Sequence, residues 1–373
     1  MSKVSILRCN AYNKDEIKSK LLELTSLIGF DWRQIEGKKV LMKPNLLSSA
    51  QPEKALSTHP VFVRAAAEII LEARPLSLSI GDSPGIGNCR SIMKENGIEK
   101  ALEGLPIKVA DFTQAVEVTS TLGHHRTFSV ATDIEEADII INLPKVKTHS
   151  LMGFTCAVKN MYGTIVGMTK GRYHLEYGRD ANRFSKMVTD LCYRRKPDLT
   201  LVDGIVAMEG NGPGGGDPYS LGLVLAGIDP TAIDITACRI LSLDIDNLPQ
   251  FKAAKEGGYG DQSPEVVGLS IDEVKVSNFK PAESGKGFSR IPPWILEFFR
   301  KLVAMRPIVD RNKCRLCNKC VEICPPTAMK KSDRIEINRD TCINCFCCQE
   351  ICPFKAIEVK RPLFGRIAAK ILK

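Results

Sequence analysis

The sequence predicts an α/β fold: a large domain on a mostly parallel sheet, divisible into two lobes, followed by a small α+β domain rich in cysteine. Three observations predict it. Short apolar runs alternate with helix-period segments through about the first 270 residues, as in the strand–helix–strand units that build parallel sheets. From about Lys275 to Arg290 the composition turns to Ser, Gly, Lys and Pro, as linkers do. Beyond that, one cysteine run occurs twice at a constant offset, the sign of an internal duplication. These breaks divide the chain into residues 1–274, a linker and amphipathic helix at 275–306, the cysteine domain at 307–360 and a basic tail at 361–373.

In chain order, Val4–Leu7 is a short apolar run and Lys14–Ile28 has helical periodicity. Lys39–Met42 is the next strand, ending in Lys43-Pro44-Asn45. Pro60 suits the first turn of a helix running to about Ala73, with Thr58 or His59 near its cap. The strand Leu76–Ile80 runs into Gly81-Asp82-Ser83-Pro84-Gly85; a helix near Arg90–Leu102 and a strand at Ile107–Val109 follow. Asp138–Leu143 is a strongly apolar strand, and PKVKTHSLMGFTCAVKNMYG after it reads as loop, then helix. Arg183–Arg194 is helical, Leu199–Val202 and Leu221–Ala226 are strands, and Thr231–Leu241 is a helix after Asp229-Pro230. Pro293 opens PWILEFFRKLVAM, an amphipathic helix expected to pack the two domains together.

Cys314, Cys317, Cys320 and Cys324, closed by Pro325, form a C-x2-C-x2-C-x3-C run; Cys342, Cys345, Cys348 and Cys352, closed by Pro353, repeat it. A cubane needs four thiolates at the corners of a small tetrahedron. Three close cysteines on one loop reach three irons, and in this spacing the fourth ligand belongs to the other run. The expected sets are therefore Cys314, Cys317, Cys320 and Cys352 for one [4Fe-4S] cluster, and Cys342, Cys345, Cys348 and Cys324 for a second. Zinc sites use paired cysteines with a longer spacer, and disulfides suit secreted chains. Cys347, whose repeat partner is Lys319, is a spare thiol. The segment resembles two-cluster bacterial ferredoxins at all eight ligand positions.

At 373 residues, with 44% hydrophobic and 25% charged residues, the chain has an ordinary globular composition. Its formal charge of +9 would fall once the clusters and their thiolates are counted, and no nucleic-acid motif accompanies it. Of the fourteen cysteines, the six outside the ligand sets (Cys9, Cys89, Cys156, Cys192, Cys238 and Cys347) read as reduced thiols. The opening MSKVSILRCNAYNKDEI lacks a signal-peptide pattern, and no run of about 18 apolar residues predicts a spanning helix. The expected location is the cytoplasm.

Open parallel sheets bind ligands at the carboxyl ends of their strands. Four polar clusters follow predicted strands: Lys43/Asn45, Asp82/Ser83, Lys145/Lys147/His149 and Asp203/Glu209. They are expected to converge on one cleft. Lys145, Lys147 and Lys159 bring three ammonium groups near His149 and Asn160, which suits a phosphate or carboxylate. The candidate anion site is thus Lys43, Asn45, Lys145, Lys159 and Asn160, with Lys147 and His149 as catalytic candidates and His149 the proton-transfer group. The same stretch also fits a solvated basic loop that His149 caps. Gly210–Gly216 lacks both the Walker ending and the G-x-G-x-x-G spacing, and fits either a turn between lobes or a phosphate loop. Asp203 and Glu209 fit an acid/base pair, a cation site or helix caps. The tail, with Lys360, Arg361, Arg366, Lys370 and Lys373 among Leu and Ile, fits an anionic membrane surface or a docked terminal helix.

The pieces KPNLL, GDSPG, NLPKVKTH, GFTCAVKNMYG and LVDGIVAMEGNGPGGG resemble the domain-of-unknown-function family 362, iron–sulfur cluster-binding proteins with a fused ferredoxin module. The likeness spans roughly residues 1–270 plus the cysteine segment. It implies an iron–sulfur protein and says little of a reaction. Three functions remain open: a ferredoxin-coupled oxidoreductase acting on an anionic small molecule, an electron-transfer partner without its own catalysis, and a maturation or scaffold protein for a metal cofactor. A redox partner protein is expected in the first two.

Overall fold

The computed structural model describes residues 1–85, 87–123, 125–167, 169–283 and 305–360. One ten-stranded sheet carries the first part of the chain, so the two-lobe alternative gives way to a single layer. The strands of this part are β1 (Lys3–Arg8), β2 (Lys39–Pro44), β3 (Ser77–Gly81), β4 (Ile107–Ala110), a separate hairpin of β5 (Ala115–Thr119) and β6 (Thr127–Ala131), β7 (Ile139–Leu143), β8 (Lys145–His149), β9 (Gly153–Thr155), β10 (Leu199–Glu209), β11 (Asp217–Gly227) and β12 (Glu265–Gly268). The order is β12-β1-β11-β10-β7-β2-β3-β4, with β8 against β10 and β9 against β8. The pairs from β10 through β7, β2 and β3 to β4 are parallel, as are β8–β10 and β1–β12; β1–β11, β10–β11 and β8–β9 are antiparallel. The sheet is mostly parallel, as predicted.

Alternation along the buried strands builds cores on both faces. Val40 and Met42 pack beneath the helices Lys14–Leu27 and Pro60–Glu72, whereas Leu41 turns to the face covered by Ala181–Arg194. Leu201 and Val202 split in the same way, Val202 joining the core under Pro230–Ile240. Asn13, Asp180 and Asp229 accept first-turn N–H groups at three of these helix starts, and His59 does so at the fourth. Each cap satisfies donors that have no partner within the helix.

Several elements differ from expectation. The stretch after Leu143 is not a loop: Lys145–His149 is strand β8, buried along its whole length. Its lysines find partners inside the fold, so a charged sequence hides an interior strand. The strand expected at Leu199–Val202 continues to Glu209, and Gly210–Gly216 is the turn of a β10–β11 hairpin. The helix expected over Arg90–Leu102 is two, Cys89–Glu95 and Ile98–Ala101, broken at Gly97 in the left-handed region (φ 83°). The hairpin β5–β6, the helices Thr132–Glu136, Thr169–Tyr177 and Pro249–Glu256, and β12 were not legible in the pattern. The amphipathic helix from Pro293 and the tail from Arg361 lie outside the described residues.

The cysteine domain is built from β13 (Arg306–Val309), β14 (Met329–Lys331), β15 (Ile335–Ile337), β16 (Ile357–Lys360) and the short helices Lys319–Glu322 and Cys347–Ile351. β13 pairs with β16 and β14 with β15. Phe346 and Val359 enter the core under Ala181–Arg194, so the two domains share apolar packing. Among the described residues, no helix is long and apolar enough to cross a membrane.

Candidate active site

The duplicated cysteine runs fold alike. Leu316, Asn318 and Thr327 have positive φ, and so do Asn344, Phe346 and Lys355, each 28 residues later. Cys314 N–H donates to Asp310 O at 3.0 Å, and Cys342 N–H to Asn338 O at 3.0 Å. Ala328 N–H points at Cys324 Sγ (3.2 Å) and Ala356 N–H at Cys352 Sγ (3.3 Å). N–H donors of this kind favour thiolate over thiol. Cys314, Cys317, Cys320 and Cys352 line one small cavity; Cys324, Cys342, Cys345, Cys347 and Cys348 line another. Among the described residues, no group of three or more His, Cys, Asp or Glu side chains is placed to hold a single metal ion. Four thiolates around a cavity suit a larger inorganic group. The donor set fits a four-iron cluster, which cysteine thiolates hold.

A cavity of about 380 Å³ opens between the two domains, within the usual size range of small-molecule sites. Asn45, Ser83, Lys159, Asn160, Lys170 and His174 face it from the α/β domain, and Cys324, Cys347 and Glu350 from the cysteine domain. The glycine turn Gly210–Gly216 fastens the two together. Gln349 Nε2 donates to Asn211 O (2.5 Å), and Lys355 Nζ reaches Gly216 O (2.5 Å) and Asp217 (2.9 Å). A Cβ on Gly214 would fall 2.1 Å from Glu350 O, so only glycine lets the backbones approach this closely.

Charge at this junction is graded. Lys43 is paired with Asp82 at 2.8 Å, and Lys145 with Asp203 at 2.9 Å, all four buried. Burial pulls both lysines below the ordinary lysine range, and the carboxylates partly restore them. Asp203 also accepts from Tyr12 Oη and His59 N–H, so its lone pairs are well used. A Cβ on Gly163 would fall 1.9 Å from Asp82 Oδ1, which leaves glycine as the residue that fits against the Lys43–Asp82 pair. Lys147 donates to Asn45 Oδ1 (2.6 Å) and Leu56 O (2.8 Å), and burial lowers it to about 7.

Lys159 and Lys170 differ: neither has a carboxylate at ion-pair distance among the described residues. Lys159 Nζ lies 4.6 Å from the Tyr162 ring centre, and Lys170 donates to Ser83 O. Burial lowers both, Lys170 to about 7. His174 is buried against Phe184, its Nδ1 lacks a hydrogen-bond partner, and burial holds it near 4, so the ring is neutral. His149 Nδ1 receives the N–H groups of Leu151 and Met152, which leaves the ring proton to Nε2, 3.2 Å from Glu350.

The family profile described as "Domain of unknown function (DUF362)" matches residues 40–239, and the 4Fe-4S dicluster domain profile matches residues 306–353. The chain belongs to the DUF362 family. A thylakoid-associated protein of Synechocystis sp. is 36% identical to this DUF362 protein over 287 residues, covering 75% of this chain and 88% of the relative. Among solved structures, the lactate racemase apoprotein of Thermoanaerobacterium thermosaccharolyticum matches at 15% identity and a TM-score of 0.40, over 61% of this chain and 54% of that one. A Thermotoga maritima protein matches at 13% identity and 0.37, over 57% and 55%. The chain thus spans about half the length of those two structures.

Of the site residues expected from sequence, this DUF362 structure places Asn45, Lys159 and Asn160 on the cavity wall. Lys43, Lys147 and His149 stand one residue behind it, touching the lining residues Asp82, Asn45 and Glu350. Lys145 is farther off, held by Tyr12 and Asp203. Asp203 and Glu209 do not pair with each other; Glu209 holds Lys280. Tyr162, Lys170, Arg172, His174 and Glu350 also line the cavity and were missed. The signal for three of them was the basic TKGRYHLEY helix, whose low apolar content reads as solvent-exposed.

Proposed function

We propose that this DUF362 protein is an oxidoreductase whose two [4Fe-4S] clusters feed single electrons to an anionic small molecule in the interdomain cavity. One observation carries the reading: Cys324 lines both the second cysteine cavity and the interdomain cavity. A ligand there would sit against the thiolate of the second set, with the crossed sets Cys314/Cys317/Cys320/Cys352 and Cys342/Cys345/Cys348/Cys324. When bound, the clusters supply one-electron transfer.

The chain's own residues do the rest. Lys159 and Lys170 offer charge to an anion with no competing carboxylate at ion-pair distance. Asn45 and Asn160 add polar edges, and Lys147 holds Asn45 from behind. His174 Nδ1 is a buried group without a partner, a costly arrangement that a ligand would relieve. His149 orients Glu350 rather than meeting the ligand. The apolar walls of Leu46, Leu47 and Ile351 exclude water.

The test is anaerobic titration of the reduced holoprotein with phosphate and with mono- and dicarboxylates, followed by electron paramagnetic resonance. An anion should perturb one cluster signal and not the other. Lys170→Ala should weaken its binding by about 1.5–3 kcal/mol, typical of a hydrogen bond to a charged group, with iron unchanged. If no anion alters either signal and Lys159→Ala and Lys170→Ala change no affinity, the reading is wrong.

A further inference from the structure

The two copies of the cysteine repeat share a backbone but not a surface. Around the first set, Cys317, Arg315 and Lys319 are exposed, and Phe354 beside them is 43% exposed. Counterparts 28 residues on are covered: Ile343 stands for Arg315, Cys345 for Cys317 and Cys347 for Lys319, and Phe346 replaces the half-buried Asn318, each at most 7% exposed. The cause is packing. The second copy lies under the α/β domain, with Phe346 in its core, and the first copy faces water.

Next to the first set runs a groove lined by Ile308, Arg311, Cys314, Asp333, Arg334 and Arg339. Of the groove's two carboxylates, Glu336 holds Arg334; outside the groove, Asp310 and Glu358 hold Lys313. Asp333 in the groove, Glu322 in the helix Lys319–Glu322 and Asp340 beside Arg339 remain as exposed opposing charges. Arg311, Arg315, Lys319 and Arg339 have no carboxylate at ion-pair distance among the described residues and are exposed.

We propose that this basic face around Cys317 is where an acidic one-electron carrier protein docks. The carrier's reduced centre gives up one electron, which is accepted at the Cys314/Cys317/Cys320/Cys352 site; no bond forms or breaks and no proton is needed. Electrons then run inward to the covered site beside the interdomain cavity. The charge pattern supplies the specificity: complementary patches steer encounter and raise association rates well above those of neutral surfaces, in a salt-dependent way. The outer copy exposes Arg315 and Lys319 where the inner one has the covered Ile343 and Cys347, while Arg311 and its counterpart Arg339 are both exposed along the groove; the outer site is the one an acidic partner reaches.

The inference needs both clusters but not the cavity ligand. The test uses the holoprotein without substrate and a reduced acidic [2Fe-2S] ferredoxin as probe. The second-order rate of cluster reduction and the dissociation constant of the complex are measured across ionic strengths. The rate should fall and the dissociation constant rise steeply with salt. Arg315→Glu with Lys319→Glu should slow reduction at low salt by about tenfold or more and flatten the salt dependence. Iron content should hold, as should the rate with photoreduced riboflavin, a small reductant that has no protein surface to dock. Because those two residues flank cluster ligands, Arg311→Glu with Arg339→Glu tests the same face from outside the ligand loops. The proposal is overturned if an iron-replete variant pair keeps the wild-type rate, affinity and salt dependence. A cavity that binds no anion would defeat the preceding proposal and leave these rates as they are.

Discussion

At the scale of single residues, the buried ion pairs define what each lysine does. Lys145 and Asp203 neutralise each other away from water, and removing one partner strands a charge. Asp203→Ala is therefore expected to cost about 3–5 kcal/mol, read as a lower urea midpoint, because Lys145, Tyr12 and the His59 N–H all lose their acceptor. Lys170 answers to pH instead. Its folded value near 7 lies below the ordinary lysine value of 10.5, so its ammonium is full below pH 7 and is lost as pH rises through it. Anion affinity should accordingly be highest below pH 7 and fall by up to about tenfold per unit above it. Lys170→Ala should lose that slope; a slope unchanged in the variant would assign it elsewhere. In the sequence, the cysteine ligands were legible because their spacing is chemistry. The lysines were legible as a group but not one by one. Lys43, Lys145 and Lys159 look alike in one dimension, and only Asp82 and Asp203, 39 and 58 residues from the first two, separate those that are paired from the one that is not.

Among elements, strand–helix alternation was readable wherever a strand is apolar, as in β2, β7 and β11. It failed at β8, where each lysine interrupts the hydrophobic signal yet is matched inside the fold. The glycine-rich turn failed as an isolated motif, because its reason is the neighbouring domain: Gly214 admits the Glu350 carbonyl. Gly214→Ala should loosen the docking while sparing the cysteine sites. The expected result is unchanged iron with faster proteolytic release of the cysteine domain; equal cleavage would show that the turn does not fasten it. The crossing cysteines give a sharper test. Cys352→Ala should damage the site shared with Cys314, Cys317 and Cys320, although Cys342, Cys345 and Cys348 are nearer in sequence. Spectroscopy showing the reverse loss would undo the crossed sets.

Across the whole molecule, the cavity belongs to neither domain, so a ligand that fills it binds only the assembled chain. An anion at 100 times its dissociation constant should raise unfolding stability by about 2.7 kcal/mol and retard domain release together. A ligand that stabilises without slowing release would bind one domain alone. The crossed sets proposed above also bear on how the protein is made. Read along the chain, the first triplet waits for Cys352, whereas Cys324 has already been synthesised when the second triplet arrives. The inner site gains its last cysteine at Cys348 and the outer one at Cys352, four residues later. At ribosomal rates of about 5–20 residues per second, two sites whose first cysteines are 28 residues apart become complete within roughly a second of each other. On that assignment, the machinery that delivers iron and sulfide meets both sites at nearly the same time, and a ribosome stalled before Cys348 presents it with neither.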